Sequence, residues 1–188
     1  MALSALSDEL MRAEGMMMQD QNEEALELLL RLAEDAEEYV DCNCQTTDEL
    51  QYFAFPTLFD RLAYRRVEND PRKLEDVHEP FDRLYGDLAM AYVRTGDYEN
   101  AMNALKTAIR WNPMNCGFRL DLADLFKIAG DIREHIALTF GVFERASEAR
   151  HLTRAFLNFA AWFEAQGRLE QAAACLRAAR RFEVKDST

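Results

Sequence analysis

The chain is poor in the residues that interrupt helices: 7 of its 188 residues are glycine and 4 are proline, while 49% are apolar. That balance suits a mostly helical protein with short turns. Long apolar runs are missing too, and nothing approaches the ~20 residues that span a bilayer. The start, Met1-Ala2-Leu3-Ser4-Ala5-Leu6-Ser7-Asp8-Glu9, lacks the basic region and the apolar segment of a secretory leader. A cytoplasmic location and no membrane partner are therefore expected. Four cysteines without framework spacing are read as reduced thiols. Cys42-Asn43-Cys44 is the one close pair; it lacks the second pair of a zinc site and the two-residue gap of a redox motif. His78, His135 and His151 are scattered, no phosphate-cradling glycine loop exists, and no serine sits in a nucleophile elbow. The expectation is no enzyme, no metal and no cofactor.

Positive charge is scarce where negative charge is dense. Residues 1–50 hold 14 acidic side chains against only Arg12 and Arg31, which accounts for the whole net charge of −12. Nucleic acid is a poor partner for such a molecule, because binding its backbone needs a basic surface. The acidic segment reads either as the solvated face of ordinary helices or as an arm that meets a basic surface.

What is present is a recurring pattern. Tyr85-x-x-Leu88-Ala89-x-x-Tyr92 is followed by Gly96-Asp97-Tyr98-Glu99-Asn100-Ala101-x-x-x-Leu105 and then Trp111-Asn112-Pro113. Ala89 and Ala101 are small enough for two antiparallel helices to approach closely, with Tyr85, Tyr92, Tyr98 and Leu105 filling the space around them. Gly96 suits the left-handed end of the first helix, and Pro113 stops the second. The frame returns 34 residues later, with Gly130-Asp131 preceded by Leu122-Ala123-x-x-Phe126. His135 and Thr139 then stand where a small and a large apolar residue are expected. It returns again with Phe156-x-x-Phe159-Ala160-x-x-Phe163, Gly167-Arg168-Leu169-Glu170-Gln171-Ala172 and Leu176. The step from Gly130 to Gly167 is 37 residues, which predicts a longer closing helix in the second copy, about residues 136–150.

This pattern resembles the tetratricopeptide repeat, a helix–turn–helix unit of ~34 residues. The resemblance implies an all-α, right-handed superhelical solenoid of antiparallel helix pairs, with three repeats at about 82–115, 116–152 and 153–186 and additional amino-terminal helices. The expected organisation is an acidic helical region over 1–79, of degenerate repeat character and ending in a long loop, then the repeats over 80–188, in one continuous domain. The family also implies a non-enzymatic interaction module, an adapter or scaffold, holding a peptide or helix in a concave groove lined by the first helix of each repeat. The alternative is a small acidic chaperone or holdase for one client. Groove positions in this chain are Arg83, Gly86, Met90, Val93 and Arg94, then Leu120, Asp124, Lys127 and Ile128, then Arg154, Leu157, Ala161 and Glu164. With Gly86 and Met90 in the first repeat, the lysine–asparagine clamp of carboxylate-gripping family members is not carried over.

Upstream, Leu3, Leu6, Leu10 and Met17 follow a helical stripe, and a second helix over about 23–40 buries Ala25, Leu28, Leu29, Leu32 and Ala36. A third helix is predicted from Thr47 to about Val67, kinked at Pro56. It carries the densest aromatic cluster, Tyr52, Phe53, Phe55, Leu58, Phe59 and Leu62, read as core or as a peptide patch. The segment 69–79 is read as one long loop. At the other end, Cys175, Leu176, Ala179 and Phe182 form a stripe that is either solvated or pairs with a second copy, giving a homodimer through the last helix.

Overall fold

In the computed structural model, which describes residues 5–182, the described part consists of nine helices and two short strands. The chain divides into two compact units, Met1–Pro113 and Met114–Thr188. Leu3 and residues 183–188 lie outside the described residues. No described helix is long and apolar enough to cross a membrane.

The first unit contains α1 (Ala5–Met18), α2 (Asn22–Asn43), β1 (Leu50–Phe53), α3 (Leu58–Glu68), β2 (Lys73–Asp76), α4 (Phe81–Thr95) and α5 (Tyr98–Trp111). The helices α4 and α5 form the hairpin that the repeat pattern predicts. Ala89, Ala101 and Ala108 are buried between them, as are Tyr85 and Leu105, whereas Tyr98 projects into solvent instead of packing around the contact. The turn is held by Asp97 N–H donating to Tyr92 O (2.8 Å) and Gly96 N–H to Val93 O (3.2 Å), with Gly96 left-handed at φ 84°. Asp97 then caps α5 by accepting from Asn100 N–H.

The same backbone arrangement joins α1 to α2. Gln21 N–H donates to Met16 O at 3.0 Å and Asp20 N–H to Met17 O at 3.3 Å, and Asp20 takes the left-handed place with φ 60°. An aspartate thus stands where the repeat has glycine. The two hairpins touch through α2 against α4 and α1 against α4, the stacking expected of successive repeats.

Between them runs an excursion that differs from the predicted kinked helix and loop. Leu50–Phe53 is a strand, paired in parallel with Lys73–Asp76 in the register Leu50↔Lys73 to Phe53↔Asp76. The helix begins only at Leu58, capped by Thr57, whose hydroxyl accepts from Asp60 N–H. Pro56 has no N–H to continue a helix, and pairing with 73–76 gives the preceding backbone its partners. Phe53, Phe55 and Tyr64 stack at 4.6–5.7 Å between centroids, and Leu74 and Val77 are buried with them. A polar clasp closes the module: Arg72 donates to both carboxylate oxygens of Asp70 and to Gln51, and Tyr64 O–H donates to Asp70. Arg72 beside it holds the Asp70 carboxyl well below the usual carboxylate range. Ala54 N–H donates to Trp111 O (2.9 Å), which ties the module to the end of α5.

The second unit is two hairpins, α6 (Cys116–Ile128) with α7 (Ile132–Arg145) and α8 (Ala149–Ala165) with α9 (Leu169–Phe182). Both reuse the turn, with Gly130 and Gly167 left-handed and Asp131 and Arg168 N–H donating to Phe126 O and Phe163 O at 2.9 Å. The closing helix α7 is 14 residues, no longer than α5; the extra length lies in α8, which runs 17 residues. The two off-pattern residues are buried and satisfied. His135 Nδ1 is 2.8 Å from Ala123 O, and Thr139 O–H donates to His135 O. At the end of the array, Ala179 is buried and Phe182 stacks on Phe156 at 6.0 Å. The expected outward stripe is thus turned mainly inward, and Leu176 alone of its large residues stays exposed.

Candidate functional site

In each unit two first helices lie side by side, α1 with α4 and α6 with α8. An arginine at the same repeat position laces each pair. Arg83 of α4 donates through Nε and Nη2 to Glu14 of α1, at 2.9 and 2.6 Å. Arg154 of α8 donates to Asp121 and Asp124 of α6, at 2.7 and 2.6 Å. Lacing of this kind is partly exposed, so it fixes the alignment of the helices more than it adds stability.

The predicted groove residues fall on these faces with one exception. Arg83 and Arg94 are both committed to α1, Arg94 donating to Met17 O at 3.0 Å at the carbonyl end of that helix. Met90, Lys127, Ile128, Leu157, Ala161 and Glu164 are exposed, while Gly86, Val93, Asp124 and Arg154 are half-buried. Leu120 is the exception: it is 0% exposed and packs with Cys116, Val142 and Ala155 in the core of its unit. Its helical frame matched the groove, but the small Ala155 opposite lets it sink inward. The groove arginines Arg83, Arg94 and Arg154 are thus all paired within the chain.

Sequence reasoning placed a helix at α1 but gave it no groove residue. With Asp20 in the place of Gly96, Glu14 aligns with Met90 and Met18 with Arg94. Met11 and Met18, one heptad apart, are exposed on α1, Met18 at 85%, and Met90 is exposed on α4. Deeper in this face sits Asp87. Its Oδ2 is buried without a hydrogen bond and lies 3.8 Å from Arg83 Nε. Burial, and next the Glu14 carboxylate beside it, push the Asp87 carboxyl up to about 7. Asp82, also buried, is raised by desolvation although Asn112 and Arg83 N–H donate to it.

The aromatic cluster of the excursion divides in two. Phe53, Phe55 and Tyr64 are core, whereas Leu58, Phe59 and Leu62 of α3 are 70%, 63% and 59% exposed. No group of three or more metal-ligating side chains occurs among the described residues. Burial pushes the Cys116 thiol up to about 11, which makes it a packed, unreactive group.

Helix hairpins joined by one repeated turn and stacked on their neighbours define a helical-repeat protein. Residues 82–115, the α4–α5 hairpin with its flanks, match the family model described as tetratricopeptide repeat. That hairpin is a tetratricopeptide repeat, and its turn recurs in the hairpins around it. Among solved structures the chain is similar to MamA, at 15% identity over 97% of this chain and 96% of that one, with a TM-score of 0.48. It is also similar to TTC0263, a thermophilic TPR protein of Thermus thermophilus, at 18% identity over 97% and 93% of the two chains, with a TM-score of 0.46. No curated protein matches the chain in sequence.

Proposed function

We propose that the protein is a non-enzymatic interaction module that holds an amphipathic segment of a partner protein against its first-helix faces. One observation carries this reading. The helices α1 and α4 are locked side by side by Arg83 and Glu14, yet between them they leave Met11, Met18 and Met90 exposed. Unbranched, polarisable methionines adapt to varied apolar side chains, and a rigid pair of helices presents them at little entropic cost. Because Arg83 and Arg154 are already neutralised, apolar anchors rather than an acidic segment set the preference of these faces. Leu157 and Ile128 offer the corresponding apolar contacts on α8 and α6.

The test is a Met18→Glu and Met90→Glu double variant of the full chain, titrated by calorimetry with the partner purified from the native cell. At least a tenfold loss of affinity with unchanged far-UV circular dichroism is expected. Unchanged affinity moves the contact off this face.

A further inference from the structure

A cavity of about 300 Å³ opens between α1, α2 and the segment entering α4. Its walls are apolar, formed by Leu6, Leu32, Ala36, Tyr39 and Phe81, and its charged residues are all carboxylates: Glu9, Asp35 and Glu79. No lysine, arginine or histidine lines it among the described residues.

One carboxylate oxygen of the three residues, Glu79 Oε2, is buried without a hydrogen-bond partner among the described residues, an arrangement that costs free energy unless something completes it. Among the described residues, Glu9 accepts a long, exposed bond of 3.4 Å from Arg12. Tyr39 and Phe81 meet edge to face, 6.0 Å between centroids, so the site combines aromatic surface with negative charge. An apolar wall, two rings and three carboxylates are complementary to an aliphatic stem ending in a cation. The strongly acidic first 50 residues add a long-range attraction of the same sign preference. The volume is at the low end for ligand sites, which suits one side chain better than a larger molecule.

We propose that this cavity receives a lysine or arginine side chain of a partner protein. The proposal rests on the reading of the chain as an interaction module, but it concerns a site apart from the methionine face. Small probes therefore test it without that face being involved.

The experiment titrates the full chain with n-butylguanidinium and n-butylammonium chloride, followed by backbone amide shifts, with 1-pentanol and sodium chloride as controls. Saturable millimolar shifts at Leu6, Ala36, Tyr39 and Phe81 are expected for both cations, with 1-pentanol at least tenfold weaker. Glu79→Gln should weaken the cations at least fivefold and leave 1-pentanol unchanged. Leu32→Trp, which fills the cavity from its apolar wall, should abolish binding and serves if Glu79→Gln does not fold. A capped Gly-Arg-Gly tripeptide should bind as well as butylguanidinium. No saturable shift, or equal shifts with 1-pentanol, overturns the proposal. Butylguanidinium binding with rejection of the tripeptide also overturns it, because it marks a site for free amines.

Discussion

Replacing Asp87 with asparagine should stabilise the first unit above neutral pH and leave it unchanged in acid. Asp87 is raised from an ordinary 3.8 to about 7, first by burial and next by Glu14. A raised folded-state pKa means the folded chain binds this proton more tightly than the unfolded chain. The associated stability is fully present below about pH 4 and is lost as pH rises towards and through about 7. At about 1.4 kcal/mol for each pKa unit, the ceiling on the loss is about 4 kcal/mol. Glu14 remains partly exposed and Arg83 is close, so relaxation should reduce the measured value to about 1–2 kcal/mol. The assay is urea unfolding followed by tryptophan fluorescence in a Trp162→Phe background, which leaves Trp111 of the first unit as the reporter. Parent and variant should coincide near about pH 4 and separate with the asparagine form more stable near about pH 8. A difference independent of pH, or a destabilised variant at the higher pH, refutes the reasoning.

Other substitutions probe the packing. Ala101→Leu, at a position with no exposed surface, should cost about 1–3 kcal/mol by overpacking the α4–α5 contact, read from thermal melts. His135→Ala should cost about 2 kcal/mol or more in urea unfolding, since it opens a cavity and removes a buried polar contact to Ala123 O. Asp20→Gly should raise stability by up to about 1 kcal/mol by relieving a left-handed side-chain residue, measured by urea unfolding. Phe59→Ser on the exposed face of α3 should change stability by less than about 0.5 kcal/mol in the same assay.

The later hairpins were legible because their packing depends on local sequence. A left-handed glycine at each turn and small residues at each contact recur in fixed register, so Gly96, Gly130 and Gly167 could be aligned by eye. The α1–α2 hairpin uses the same turn but fills it with Asp20, and the excursion from β1 to β2 breaks the spacing to the next turn. Aspartate tolerates the left-handed conformation, so the backbone repeats where the letters do not. The parallel strand pair was hidden for another reason. Four-residue strands joined through a helix find their partners across the fold, and neither carries a local signal strong enough to reveal it. Leu50–Phe53 lies in an aromatic run that fits a helix equally well until its partner is known. Among the residues proposed for the groove, Met90 and Leu157 are exposed. Helical spacing could not tell that Leu120 would sink beside Ala155, or that Arg83, Arg94 and Arg154 would be taken up by α1 and α6.

The most direct test of the account is hydrogen–deuterium exchange on the complex of the full chain with its purified partner. The account predicts added protection in peptides from α1 and α4, and from α6 and α8, which disappears for α1 and α4 in the Met18→Glu, Met90→Glu variant. Protection confined to α5, α7 and α9, or to α3 alone, would contradict it.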